Sequence, residues 1–99
     1  MGLVNSDPIR VVVAEDEAVI RMDLVEMLKE LGYQVVAEAF NGQQAVDLVR
    51  EHKPDVAFLD IAMPVRDGLS AAEEIASADL CAVVMVTAFS QRDVATKAA

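Results

Sequence analysis

The stretch "DVAFLDIAMPVRDG", residues 55–68, places a carboxylate directly after a run of apolar residues. The four residues before Asp60 are all apolar, which is typical of a strand that passes through a hydrophobic core. The turn-forming residues Met63-Pro64 and Gly68 follow and indicate a loop that leads into the next element. An aspartate at the end of a buried strand needs an explanation other than packing.

The same succession of an apolar strand and a helix recurs along the whole chain. Strands are predicted over residues 10–16, 33–39, 54–60 and 81–88. Helices are predicted over residues 17–32, 41–52, 68–78 and 90–99. Continuous apolar strands that alternate with helices favour a parallel sheet covered on both faces. The 99 residues therefore predict one α/β domain.

The first predicted helix carries a helical stripe of apolar residues, which we expect to pack on the sheet. The members of this stripe are Ile20, Leu24, Met27, Leu28 and Leu31. Gly32 follows the stripe as a stop signal.

Composition and charge exclude several classes of protein. Acidic residues outnumber basic ones by 17 to 8, for a formal charge of −9, so we expect no nucleic-acid binding by these residues. No run approaches the roughly 20 apolar residues that a membrane span needs. The single cysteine, Cys81, excludes an internal disulfide and fits a reducing compartment. With no signal peptide at the N-terminus, a cytoplasmic location is predicted.

Polar side chains follow three of the four predicted strands at their carboxyl ends. Glu15 and Asp16 end the first strand, Asp60 ends the third, and Thr87 lies near the end of the fourth. Ligands of open α/β sheets bind at this edge, where the order of the strands reverses. If the first and third strands are neighbours, three carboxylates converge at one place.

Converging carboxylates repel one another unless a proton or a cation neutralises them. Mg²⁺ prefers oxygen ligands, so the cluster predicts a magnesium site. The alternative is that the acids cap helix N-termini, where the helix dipole favours negative charge. Capping explains Asp16 or Glu17 well, but it explains Asp60 poorly because the next helix starts only after Gly68.

A carboxylate beside a cation can act as a nucleophile on phosphorus and form an aspartyl phosphate. The hydroxyl of Thr87 could then donate a hydrogen bond to a phosphoryl oxygen. Other chemistries lack their residues: the turn "AEDEAV" at 14–19 has no glycine for a nucleotide loop, and His52 lies at the opposite edge of the sheet.

The motifs "VVVAEDE", "FLDIAMPVRDG" and "VVMVTA" resemble those of receiver domains of two-component response regulators. The resemblance covers the chain from Val11 to Ala99 and implies a flavodoxin-like, doubly wound parallel sheet with strand order 2-1-3-4-5. It implies that Asp60 is the phosphoacceptor and that Thr87 is the switch hydroxyl. It also implies that Mg²⁺ is bound by Glu15, Asp16, Asp60 and the backbone carbonyl of Ala62.

The resemblance further implies a histidine kinase or a phosphotransfer protein as the phosphoryl donor, and a signalling switch instead of a turnover enzyme. The sequences of residues 14–48 and of the segment "VTAFSQRD" are similar to those of receivers joined to ANTAR RNA-binding output domains in transcription antiterminators. Receivers have a fifth strand that ends in a lysine, whereas this sequence ends within the fourth predicted helix. We therefore expect residues 1–99 to form a C-terminally incomplete receiver without an output domain, whose exposed fourth strand supports self-association.

Two other functions are alternatives to the phosphoacceptor. A pseudo-receiver, or a truncated fragment, would act by protein interaction alone, because the family's lysine is missing. A magnesium-dependent phosphatase of the haloacid dehalogenase type would also use an aspartate at a strand end. That family has a second aspartate two residues after the nucleophile, and Ala62 in this position argues against it.

Overall fold

The computed structural model describes residues 7–86 and contains the predicted parallel sheet. The strands are β1 (Arg10–Ala14), β2 (Gln34–Ala39), β3 (Val56–Leu59) and β4 (Ala82–Met85). The helices are α1 (Ala18–Glu30), α2 (Gly42–His52) and α3 (Gly68–Ser77). The strand order β2-β1-β3-β4 confirms the expected topology for these four strands. The helix predicted over 90–99 lies outside the described residues.

The helices begin and end at residues whose chemistry suits those positions. Asn41 caps α2, because its Oδ1 accepts the backbone N–H of Gln44 at 2.8 Å. Asp67 caps α3 in the same way, through the N–H of Ser70 at 2.8 Å. Lys53 ends α2 in the left-handed conformation, with φ 49°. Within residues 7–86, no helix has the length and apolar character needed to cross a membrane.

The core has two layers, one on each face of the sheet. Helices α2 and α3 cover one face, where Leu59 and Ile75 are fully buried. In the described part of the chain, α1 alone supplies helical residues to the core on the other face, which includes Val11 and Val13. Strand β1, which lies between β2 and β3, is thus covered on both faces of the sheet.

The predicted packing stripe of α1 is partly wrong. The structure buries Leu24, Val25 and Leu28, whereas Met27 is 43% exposed and Leu31 is 68% exposed. Two features of the helix explain the difference. The buried residues at positions i, i+1 and i+4 define a narrow contact face with Met27 on its flank, and Leu31 is the C-cap, which follows the last residue of the helix, Glu30.

Candidate functional site

The carboxyl ends of β1 and β3 lie side by side, as the expected topology requires. The backbone N–H of Asp60 donates to the carbonyl of Ala14 at 3.0 Å, so Asp60 lies beside the end of β1. Carboxylate oxygens of Glu15, Asp16 and Asp60 all lie within 4.8 Å of one another. The structure therefore brings together the three carboxylates that the sequence assigned to this edge.

Burial gives the cluster unusual electrostatics. Glu15 is only 3% exposed. Burial, assisted by the negative charges of Asp60 and Asp16, raises the pKa of the Glu15 carboxyl from 4.5 to about 7, although the N–H of Glu17 acts in the opposite direction. Burial also raises the pKa of Asp60, and the charges of Asp16 and Glu17 add to this effect. The cluster therefore resists carrying all of its negative charge unless a cation is present.

One acid of the cluster does satisfy a backbone N–H at the start of α1. It is Glu15, and not Asp16 or Glu17 as the sequence suggested. Glu17 is the N-cap of α1, yet its side chain makes no capping hydrogen bond. Glu15 replaces it, because its Oε2 accepts the N–H of Glu17 at 2.9 Å. Since Asp67 caps α3, no capping role is left for Asp60. The carboxylate of Asp60 therefore still needs a functional explanation.

The residues present fit a hard divalent cation. Three carboxylates from two neighbouring strand ends supply the oxygen ligands that Mg²⁺ prefers. The cation would also offset the negative charge that adds to burial in raising the pKa of Glu15 and Asp60. Ala62 lies exposed in the loop between β3 and α3, two residues beyond Asp60. Thr87 lies outside the described residues, which end at Val86.

Two glycines allow the loops at this edge to pack against each other. A Cβ on Gly68 would overlap the backbone carbonyl of Asp60. The N–H of Gly68 donates to the carbonyl of Ile61 at 2.8 Å, which holds the first turn of α3 against the loop. Gly42 approaches Arg66 with similar closeness, and its N–H donates to the Arg66 carbonyl at 2.8 Å. A side chain at either position would displace the loop after β3.

Arg66 is held away from the carboxylate cluster by other partners. Its Nε donates to Ser70 Oγ at 2.8 Å, and its Nη1 lies 2.6 Å from Glu74 Oε1. Glu74 also pairs with Arg50 at 2.8 Å, and these two hydrogen bonds lower the pKa of the Glu74 carboxyl. Arg66 therefore fastens the loop after β3 to α3, and it does not take the place of the family's lysine.

Sequence reasoning missed Arg21, which contacts the backbone of the cluster. Its Nη1 donates to the carbonyl of Glu15 at 2.9 Å. The signal for this role was present in the sequence, because Arg21 shares a helical face with Leu24 and Leu28. A cation on the face of a helix that packs on the core indicates a specific partner.

Known proteins are similar in sequence to this chain. The response regulator receiver domain family matches residues 11–99. The transcriptional regulatory protein PdtaR of Mycobacterium tuberculosis is 57% identical over 91 residues, which are 92% of this chain and 44% of that protein. The chain therefore spans less than half the length of this relative.

Solved structures of response regulators have a similar fold. The signal receiver domain of the response regulator NarL from Mycobacterium tuberculosis superposes with a TM-score of 0.76 at 37% identity, covering 80% of this chain and 65% of that one. The CheX-CheY-BeF3-Mg+2 complex from Borrelia burgdorferi gives a TM-score of 0.74 at 28% identity, covering 79% and 60%. Because the family match spans nearly the whole chain and the fold agrees with solved receivers, the chain belongs to the response regulator receiver domain family of two-component signalling.

Proposed function

We propose that Asp60 accepts a phosphoryl group from a histidine kinase or a phosphotransfer protein, in the presence of Mg²⁺. The observation that carries this proposal is the meeting of Glu15, Asp16 and Asp60 at the end of a buried strand. Asp16, Glu15, Asp60 and the backbone carbonyl of Ala62 would hold the ion. When bound, Mg²⁺ would neutralise negative charge on the carboxylates and on the phosphoryl oxygens.

The chain's own residues have separate roles in this reaction. A carboxylate oxygen of Asp60 forms the new bond to phosphorus, and the bond between phosphorus and the donor's histidine nitrogen breaks, so the imidazole leaves with the bonding electrons. The hydroxyl of Thr87 then donates a hydrogen bond to the phosphoryl group and acts as the switch. The receiver is a phosphoacceptor that assists its own phosphorylation and dephosphorylation, and it does not turn over a metabolite.

The output of the switch is the control of transcription in the cytoplasm, by antitermination through an ANTAR-type output domain. The identity of 57% to a protein named as a transcriptional regulator supports this part of the proposal. The resemblance of residues 14–48 to receivers of ANTAR-type antiterminators supports the finer assignment. On this proposal residues 1–99 supply the receiver, and the output lies in another domain.

Protein interaction without phosphorylation is the second candidate function. Within the described residues β4 pairs with β3 alone, and Val84 is 43% exposed. A polypeptide of these 99 residues is therefore predicted to self-associate through β4. Sedimentation at increasing concentration tests this prediction, and a monomer at every concentration would contradict it.

The phosphoacceptor proposal is tested by titration with beryllofluoride, which mimics a phosphoryl group, in the presence and absence of Mg²⁺. We expect Mg²⁺-dependent binding that is lost in Asp60→Asn, and Mg²⁺ binding that weakens in Asp16→Asn. Asp47→Asn is the matched control, because Asp47 lies exposed on α2 and bonds Gln43. Equal binding by the wild type and Asp60→Asn would exclude Asp60 as the acceptor.

A further inference from the structure

We propose that Arg21 is a positioning residue that holds the loop between β1 and α1, so that Glu15 and Asp16 face Asp60. This inference rests on the proposed function, because it concerns the ability of the same carboxylates to bind Mg²⁺. Arg21 contacts none of the three carboxylate groups through a described hydrogen bond. It acts on them through the backbone of Glu15.

The guanidinium of Arg21 joins three elements at once. Its Nη1 donates to the carbonyl of Glu15 at 2.9 Å, and its Nε donates to Glu38 Oε1 at 3.1 Å. Its Cζ lies 4.3 Å from the centre of the Phe40 ring, within the range of a cation–π contact. The side chain is only 13% exposed. Arg21 therefore connects α1 and the end of β2 to the backbone of the acidic loop.

Arg21 binds the backbone of Glu15, and the geometry of the acidic cluster depends on this residue. The N–H of Glu15 donates to the carbonyl of Ala39 at 3.1 Å, while its carbonyl accepts Arg21. Both backbone groups of Glu15 are thus fixed, and its Oε2 is fixed by the N–H of Glu17. Without Arg21, the peptide group between Glu15 and Asp16 would lose its anchor on the carbonyl side. The orientation of this peptide group affects the position of the Asp16 carboxylate.

An ordinary surface ion pair does not explain this arrangement. The pairing with Glu38 is partly exposed, and exposed pairs contribute little to stability. The hydrogen bond to the Glu15 carbonyl is not an ion pair, and it uses a second nitrogen of the same guanidinium. A lysine has one compact head group and cannot reproduce both bonds together with the stacking on Phe40.

The test compares Mg²⁺ affinity in four proteins: the wild type, Arg21→Ala, Arg21→Lys and Glu38→Gln. Removal of outer partners that orient metal ligands typically weakens metal binding by about 10–100-fold, so we expect a loss of about tenfold in Arg21→Ala. Arg21→Lys should fall between the wild type and Arg21→Ala. Glu38→Gln removes the ion pair but keeps an amide oxygen for Nε, so its affinity should match the wild type.

A second measurement, on the metal-free protein, does not depend on binding. Hydrogen exchange at the amide of Glu17 should become faster in Arg21→Ala, by about tenfold for the loss of one hydrogen bond, because the loop that carries the Glu15 acceptor is released. Exchange at Val12 and Val13 in the core should stay at the wild-type rate. Uniformly faster exchange would show that Arg21 serves overall stability, which would overturn the proposal.

Arg50→Ala is the control for the loss of an arginine. Arg50 pairs with Glu74 on the α2–α3 side, and its removal should leave Mg²⁺ affinity unchanged. Equal Mg²⁺ affinity in the wild type and both Arg21 variants would overturn the positioning role while leaving the proposed function intact. Absence of Mg²⁺ binding in the wild type would instead contradict the proposed function. If Arg21→Ala does not fold, Arg21→Lys decides between these outcomes.

Discussion

Substitution of Glu15 by glutamine should stabilise the metal-free protein at alkaline pH while it impairs magnesium binding. Glu15 is buried among other carboxylates, and its pKa is raised from 4.5 to about 7 in the folded chain. The folded state therefore holds the proton more tightly than the unfolded state does. The stability associated with the protonated form is fully present below pH 4.5 and is lost as the pH rises through about 7.

The size of the effect follows from the two pKa values. The difference between 4.5 and about 7, at about 1.4 kcal/mol for each pH unit, corresponds to about 3 kcal/mol of free energy of unfolding. Glutamine carries no charge at any pH, and its amide oxygen still accepts the N–H of Glu17. Glu15→Gln should thus be more stable than the wild type by up to about 3 kcal/mol at pH 8, and the advantage should shrink towards pH 4.5.

Urea unfolding between pH 4.5 and pH 8, with and without Mg²⁺, measures this difference. Mg²⁺ should stabilise the wild type at pH 8 through preferential binding to the folded state, and it should stabilise Glu15→Gln much less. Glu73→Gln, at an exposed position of α3, removes the same charge outside the cluster and should follow the wild type. Parallel stability curves for the wild type and Glu15→Gln over this pH range would refute the reasoning.

Two further substitutions test how the loop after β3 is held. Gly68→Ala should lower the free energy of unfolding by about 1–3 kcal/mol, because the new Cβ overlaps the backbone carbonyl of Asp60, and it should also weaken Mg²⁺ binding. Urea unfolding and Mg²⁺ titration check both effects, and wild-type values in both would contradict the close packing. Arg66→Ala should destabilise the fold by about 1–2 kcal/mol through the loss of its hydrogen bonds to α3. It should also raise the pKa of Glu74 towards its ordinary value, which an NMR titration would detect.

The sequence was sufficient to predict the fold and the meeting of the carboxylates, since both follow from the alternation of strands and helices. Asp60 could be placed because a buried apolar strand leads directly to it. The exposure of Met27 and Leu31 could not be predicted, because helical periodicity gives a stripe but neither the angle at which the helix rests on the sheet nor the residue at which the helix ends.

The sequence also did not identify the residue that caps α1 or the partners of the arginines. The preference of helix N-termini for acids does not say which of Glu15, Asp16 and Glu17 turns back to the helix, and the structure selects Glu15. Arg21 meets Glu38 and Phe40 only because α1 and β2 pack together, and their separation along the chain hides this contact. The packing of helices and strands, and not the local sequence pattern, determines which residues form such contacts.

The most direct test of the central claim is chemical phosphorylation followed by mapping of the modified residue. The 99-residue chain would be incubated with acetyl phosphate and Mg²⁺, and the site would be located by mass spectrometry after proteolysis. We predict one phosphoryl group, on Asp60, that is absent without Mg²⁺ and absent in Asp60→Asn. A phosphoryl group on another residue, or equal labelling of the wild type and Asp60→Asn, would contradict the assignment of Asp60 as the phosphoacceptor.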